Sequence, residues 1–190
     1  GAKLLKRAAD EQLPFFYREQ VQNTSKSIIA RKAVSLIKDG DVIMLDGSTS
    51  AYTIIPYLSN FQNLIVITSS AKSSFLLGRM GIQNFCTGGR MITRSLSYVG
   101  QEAESAVSRY NADLVFFSCR GLSANGKLTD NSIEENDLRK TMLRHAKKRV
   151  FLCDSSKLNH VYLNTLCHLS DVDEIICEQE LPKNLLEMTR

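Results

Sequence analysis

Short runs of consecutive apolar residues alternate along this chain with longer stretches in which apolar positions recur every three to four residues. The runs centre on 41–45, 64–67, 112–118, 150–153 and 174–177. Uninterrupted apolar runs of this length predict strands buried on both faces, as in a parallel sheet between two helical layers. A weaker strand is predicted over 83–86.

The intervening stretches read as helices. From Ser25, Ile29, Ala33, Leu36 and Ile37 fall at helical spacing, and Asp39-Gly40 is the stop signal. Further helices are predicted over 50–59, 70–80, 100–110 and 132–146, with a short one at 181–188. Ile54, Ile55 and Leu58 mark the first of these, with Pro56 inside it; Ala103, Ala106 and Val107 mark the third. Ser132 and Glu135 have the spacing of a capping box. The stretches 87–99 and 119–131 are expected to be loop, the first with a short strand. Strands alternating with helices define an α/β domain with a mostly parallel sheet flanked by helices. That domain is expected over 25–190. Residues 1–24 are charged and mixed, with Pro14, Phe15, Phe16 and Tyr17, and read as an arm or linker remnant.

Composition narrows the class. The chain has 190 residues, 43% of them hydrophobic and 23% charged, which is ordinary for a globular domain. No stretch approaches about eighteen consecutive apolar residues, so no membrane-spanning helix is expected. The N-terminal stretch has no apolar core of signal-peptide length, and a cytoplasmic chain is expected. Five cysteines at 86, 119, 153, 167 and 177 have no Cys-x-x-Cys pair and no neighbouring histidine pair. They read as reduced, buried thiols rather than a zinc site, and neither metal nor cofactor is expected. Of the net charge of +4, all lies in residues 1–40, which hold eight Lys/Arg against four Asp/Glu. That excess is too small and too local for strong DNA binding by this chain alone.

The candidate chemistry sits just after the apolar runs. The clusters are Asp46-Gly47-Ser48-Thr49-Ser50, Thr68-Ser69-Ser70, Thr87-Gly88-Gly89-Arg90, Cys119-Arg120-Gly121 and Asp154-Ser155-Ser156-Lys157. In an open α/β sheet ligands bind outside the carboxyl ends of the strands, so five such clusters are expected to converge on one edge. The first is the most specific. Hydroxyls and free amides at a helix start make a phosphate cradle. Neither a Walker A loop nor a Gly-x-Gly-x-x-Gly fingerprint is present. Lys157 offers a point charge to a phosphate or carboxylate.

In order and spacing, these clusters together with Gly126-Lys127-Leu128-Thr129 and Glu135 resemble the C-terminal effector-binding domain of DeoR-type bacterial transcription regulators, over roughly 25–178. The resemblance implies the fold shared by ribose-5-phosphate isomerase, glucosamine-6-phosphate deaminase and the CoA transferases. It implies a phosphorylated sugar or related metabolite as effector, a homo-oligomer, and operator DNA contacted through an N-terminal winged helix-turn-helix that these residues lack. Residues 46–50 match the family's phosphate loop, with Gly47 and Ser48 exchanged relative to the usual order. Ser69 stands where Asn is usual, Asn136 where Ala is usual, and Lys157 matches the family lysine. The ligand-binding residues implied are Asp46, Gly47, Ser48, Thr49, Ser50, Thr68, Ser69, Ser70, Gly88, Gly89, Arg90, Arg120, Gly121, Glu135 and Lys157. Within the arm, Leu4, Leu5, Phe15 and Phe16 are candidates for packing on a partner subunit.

A sugar-phosphate isomerase of the same fold is the alternative. Aldose–ketose isomerisation needs a carboxylate base and groups that stabilise an enediolate. The isomerases carry two acids three residues apart on one strand. Here the corresponding stretch is Asp113-Leu114-Val115-Phe116, and the second acid is Phe. The sensor reading is therefore favoured over the enzyme. Five polar clusters argue against a third reading, an interaction module without a small ligand.

Overall fold

The computed structural model describes residues 14–190. Leu4, Leu5 and the rest of 1–13 lie outside the described residues. Helices α1 (Phe15–Gln20) and α2 (Asn23–Val34) lead into strand β1 (Val42–Leu45). Then come α3 (Thr49–Tyr52), β2 (Ile65–Thr68), α4 (Ala71–Arg79) and β3 (Gln83–Cys86). A hairpin β4 (Arg90–Ile92) and β5 (Ser97–Val99), helix α5 (Gln101–Val107) and strand β6 (Ala112–Phe117) follow. The chain continues through β7 (Gly121–Leu122), β8 (Lys127–Asp130), α6 (Ile133–Arg144) and β9 (Ala146–Leu152). It closes with β10 (Asn164–His168), β11 (Glu174–Ile176) and α7 (Lys183–Leu186).

Six strands form one parallel sheet in the order β11-β9-β6-β1-β2-β3. Alternate residues serve the two faces. Ile43, Leu45, Leu114, Phe116, Val150 and Leu152 pack with α2, α4 and the 3-10 turn Ile55–Asn60. Met44, Val115, Phe117, Phe151 and Cys153 pack with α5 and α6. Both faces are covered, which is why these strands read as unbroken apolar runs. The chain runs from β1 outward through β2 and β3, then returns to β6, β9 and β11. The direction of winding therefore changes between β1 and β6, and the crevice of such a sheet opens there.

Some elements differ from expectation. The helix predicted over 50–59 is split into α3 and the 3-10 turn, because Pro56 begins a new turn instead of continuing an old one. The loop predicted over 119–131 contains β7 and β8, which pair with β10 in a second, antiparallel sheet. Strand β9 begins at Ala146 rather than 150. Its polar first half hides it: Lys147 pairs with Asp113 at 2.8 Å and Lys148 with Glu174 at 2.6 Å. Ser132 caps α6 by accepting from the Glu135 N–H at 3.3 Å, while the Glu135 side chain faces a cleft. Phe15, a candidate for a partner subunit, is fully buried in its own chain, whereas Phe16 is exposed. Cys119, Cys153 and Cys177 are buried and unpaired, but Cys86 on the edge strand β3 is exposed. Among the described residues no helix is long and apolar enough to cross a membrane, and no cluster of metal-ligating side chains occurs.

Candidate functional site

A cleft of about 400 Å³ opens at the carboxyl ends of β1, β6 and β9. Each strand delivers its residues by the turn that ends it. After β1, Ser48 caps α3: its Oγ accepts from the Ala51 N–H at 3.1 Å. The amides of Thr49 and Ser50 fall in the first turn, where no intrahelical carbonyl is available. After β6 come Ser118, Cys119 and Arg120, and after β9 the 3-10 turn Ser155–Lys157.

Beneath the cleft lies a buried polar knot. Asp46 is 1% exposed and accepts four hydrogen bonds. Its Oδ1 takes the Ser48 N–H at 3.1 Å and the Ser48 hydroxyl at 2.5 Å. Its Oδ2 takes the Ser118 N–H at 3.2 Å and Arg139 Nε at 2.9 Å. Arg139 also donates through Nη1 to Asp130 at 3.1 Å and to Asn136 at 3.2 Å. Arg120 Nε in turn meets Asp130 at 3.3 Å. Burial alone would lower the pKa of Arg139, but Asp130 and Asp46 outweigh it and hold the guanidinium above its ordinary value.

Lys157 is set by two contacts. Its Nζ donates to Ser118 Oγ at 2.5 Å and pairs with Asp154 at 3.1 Å. Burial pulls its pKa down and Asp154 more than restores it, so the ammonium stays charged. Burial works the other way on Asp154, and Lys157 with the Ser156 hydroxyl holds that carboxyl below its usual range. Glu178, from the end of the chain's last strand, accepts from the Ser155 N–H at 3.1 Å and fixes the turn. Lys26 of α2 reaches the same cleft. Burial, then the charge of Lys157, brings its ammonium down to about 8.

Six of the expected residues line the cleft: Ser48, Thr49, Ser50, Arg120, Glu135 and Lys157. Asp46 lies under its floor. Gly47 and Ser69 border a separate small cavity of about 10 Å³. A Cβ on Gly47 would come within 1.7 Å of Ser97 Oγ, so that glycine serves close packing. Thr68, Ser70, Gly88, Gly89, Arg90 and Gly121 do not reach the cleft. The β4–β5 hairpin covers the end of β2, with Tyr98 N–H donating to the Ser69 carbonyl at 2.7 Å and Ala71 N–H to the Leu96 carbonyl at 3.0 Å. Ser70 caps α4 instead. Strand β3 is at the sheet edge, so Arg90 ends up exposed and paired with Glu134. Gly121 packs beneath the His160 backbone, where a Cβ would meet its carbonyl oxygen at 2.4 Å.

The sequence reading missed Arg18, Lys26, Arg94 and Arg139, which all line the cleft. For Arg139 a signal existed: Ser132, Glu135, Asn136 and Arg139 form one polar stripe along α6. With Arg120 and Lys157, six cationic side chains face three carboxylates, those of Asp130, Glu135 and Asp154. The lining favours an anion.

The architecture is that of a known class. Translation initiation factor eIF2B delta from Chaetomium thermophilum superposes with a TM-score of 0.62 at 20% identity, over 87% of this chain and 60% of that one. Ribose 5-phosphate isomerase A from Methanocaldococcus jannaschii gives 0.54 at 22%, over 72% and 55%. These likenesses define the fold. The chain belongs to the DeoR family: the model of the DeoR C terminal sensor domain matches residues 21–179. An HTH-type transcriptional regulator of Bacillus subtilis, YulB, is 30% identical over 90% of this chain and 67% of its own length. The L-fucose operon activator of Escherichia coli K12 is 31% identical, over 87% and 68%.

Proposed function

We propose that this sensor domain binds a phosphorylated sugar or a closely related phosphomonoester in the cleft, and that the bound metabolite controls operator binding by a helix-turn-helix part of the parent regulator. The observation that carries this reading is the lining itself. Thr49 and Ser50, whose amides fall in the first turn of α3, line the same space as the charged ammonium of Lys157, in a cleft where cations outnumber carboxylates. Such donors suit a phosphate dianion. Glu135, which also lines the cleft, offers an acceptor to sugar hydroxyls. Two relatives are named for sugar operons, an L-fucose operon activator and an aga operon repressor. Residues before 25 serve as the linker to the DNA-binding part, and the regulator works as a homo-oligomer in the cytoplasm.

The domain acts as a sensor rather than as an isomerase. Asp113, the only acid of the strand stretch compared with the isomerases, lies at the amino end of β6, away from the cleft. It is occupied by Lys147 and by the Val42 N–H at 2.9 Å.

A thermal-shift panel of sugar phosphates, each beside its free sugar, tests the reading. A ligand at about 100 times its Kd stabilises by about 2.7 kcal/mol. For a domain of this size that is a rise of roughly 5–10 °C. At least one sugar phosphate is expected to give it and its free sugar almost none. A panel in which phosphorylated and free sugars behave alike would contradict the reading.

A further inference from the structure

Arg18 precedes the stretch that matches the sensor-domain family, yet its side chain lines the cleft. It rides on α1, and α1 is tied down at both ends by groups that also line the cleft. At the start, the buried Phe15 sets its ring edge-on to Tyr52 at 5.5 Å, and its N–H donates to the Arg94 carbonyl at 2.7 Å. At the end, Lys26 Nζ donates to the carbonyls of Arg18 and Val21 at 2.5 and 2.6 Å. Helix α1 is therefore a strap beside the cleft, which Arg18 lines together with Val21 and Gln22. Its junction with α2 is Gln22, a non-glycine residue in the left-handed region with φ 55°. Such a conformation is uncommon and persists where the surrounding contacts hold it.

The Arg18 guanidinium is incompletely satisfied. Its Nε is buried and has no hydrogen-bond partner among the described residues. Buried polar groups are ordinarily paired. Burial and then the neighbouring Arg120 charge lower its pKa, and Arg139 adds to this against the opposing Glu135 and Asp130. The charged form of Lys26, which holds the strap, is likewise disfavoured by burial, then by Lys157 and, against Asp154, by Arg18. A group of cations held together in this way, one with an idle buried donor, is short of an anion. A guanidinium presents a planar fork of donors that matches a phosphate or carboxylate.

We propose that Arg18 is a ligand-sensing residue: an anionic effector in the cleft takes its guanidinium as a direct donor, and that contact fixes α1 and the chain N-terminal to it. The proposal rests on the effector-site reading above and adds the route by which occupancy leaves the cleft. A ligand shifts a conformational equilibrium only through contacts that differ between the two states. Arg18 supplies such a contact, because it belongs to the strap and not to the sheet.

Calorimetry and hydrogen–deuterium exchange on the 190-residue chain, with inorganic phosphate as the probe, test it. In the wild type, phosphate is expected to slow amide exchange across 14–24. Arg18→Gln is expected to bind phosphate about tenfold to a hundredfold more weakly, and saturating phosphate no longer slows exchange there. Arg18→Met, which keeps the apolar stem without the charge, is expected to behave the same way. Wild-type binding with unchanged exchange across 14–24 overturns the proposal, whether or not either variant folds. So does full affinity in both Arg18 variants where Lys157→Ala has lost it, a result that leaves the effector site standing. No phosphate binding by the wild type removes the effector-site reading and this proposal together.

Discussion

Asp46 and Arg139 are 93 residues apart in sequence and meet at 2.9 Å beneath the cleft, both almost completely buried. The pair joins the end of β1 to the middle of α6. Through the other bonds of Asp46 it also fixes the amides of Ser48 and Ser118. Removing one partner leaves an uncompensated buried charge, which costs about 3–5 kcal/mol. Arg139→Met is therefore expected to lower the melting temperature by roughly 6–20 °C. Thermal or urea unfolding checks this, and a loss below about 1 kcal/mol would show that the knot is not structural.

How much of this was legible in the sequence follows from the range of each signal. Residues 48–50 and Lys157 were legible because each directly follows a doubly buried strand, and strand ends are a local feature. Gly88, Gly89 and Arg90 follow a strand too, but β3 is the edge strand, two places from β1. Sheet order is a long-range property that local pattern does not carry. The antiparallel strands β7, β8 and β10 were hidden because β7 has only two residues and β10 mixes polar Asn164, Thr165 and His168 with Leu166 and Cys167. Arg18 enters the site only through the fold-back of α1 onto the domain, and Lys26 through the packing of α2 on the sheet, neither of which the neighbouring sequence announces.

Lys26 predicts opposite pH dependences for stability and binding. Its folded pKa of about 8 lies below the ordinary 10.5. Between these values the unfolded chain binds more protons, so stability without ligand rises with pH across that window. Anion binding favours the charged form, so affinity falls as pH passes above about 8. Urea unfolding and calorimetry at about pH 7 and about pH 9.5 measure both slopes. Lys26→Met is expected to flatten both, and slopes unchanged in that variant would assign them to other groups.

The thiols predict a simple chemical footprint. Cys86 is exposed, whereas burial pushes the thiols of Cys119 and Cys177 up to about 12 and about 11. The thiolate is the reactive form. An aromatic disulfide reagent is expected to modify one cysteine quickly in the native chain and the buried ones only after unfolding. Cys86→Ser should abolish the fast phase, and a fast phase that survives would place another thiol at the surface.

Asp113→Asn separates the sensor from the isomerase. Asp113 is part-exposed and far from the cleft, and its partner Lys147 is fully exposed, so their ion pair adds little to stability. Unchanged effector affinity and no turnover of ribose 5-phosphate by either form are expected. Turnover in the wild type that disappears in Asp113→Asn would restore the enzyme reading.

The central claim is that the cleft recognises a phosphate with Lys157. It is tested most directly by calorimetric titration of wild type and Lys157→Ala with the sugar phosphate that gives the largest thermal shift, and with its free sugar. Lys157→Ala removes one charge-assisted contact and is expected to bind about tenfold to a hundredfold more weakly. It also leaves the buried Asp154 carboxylate without its ion-pair partner, so its unliganded melting temperature is expected to fall, and affinity is compared below the transition of both forms. The free sugar is expected to give almost no heat with either form. Equal affinity for phosphorylated and free sugar, or full affinity in Lys157→Ala, would contradict the account.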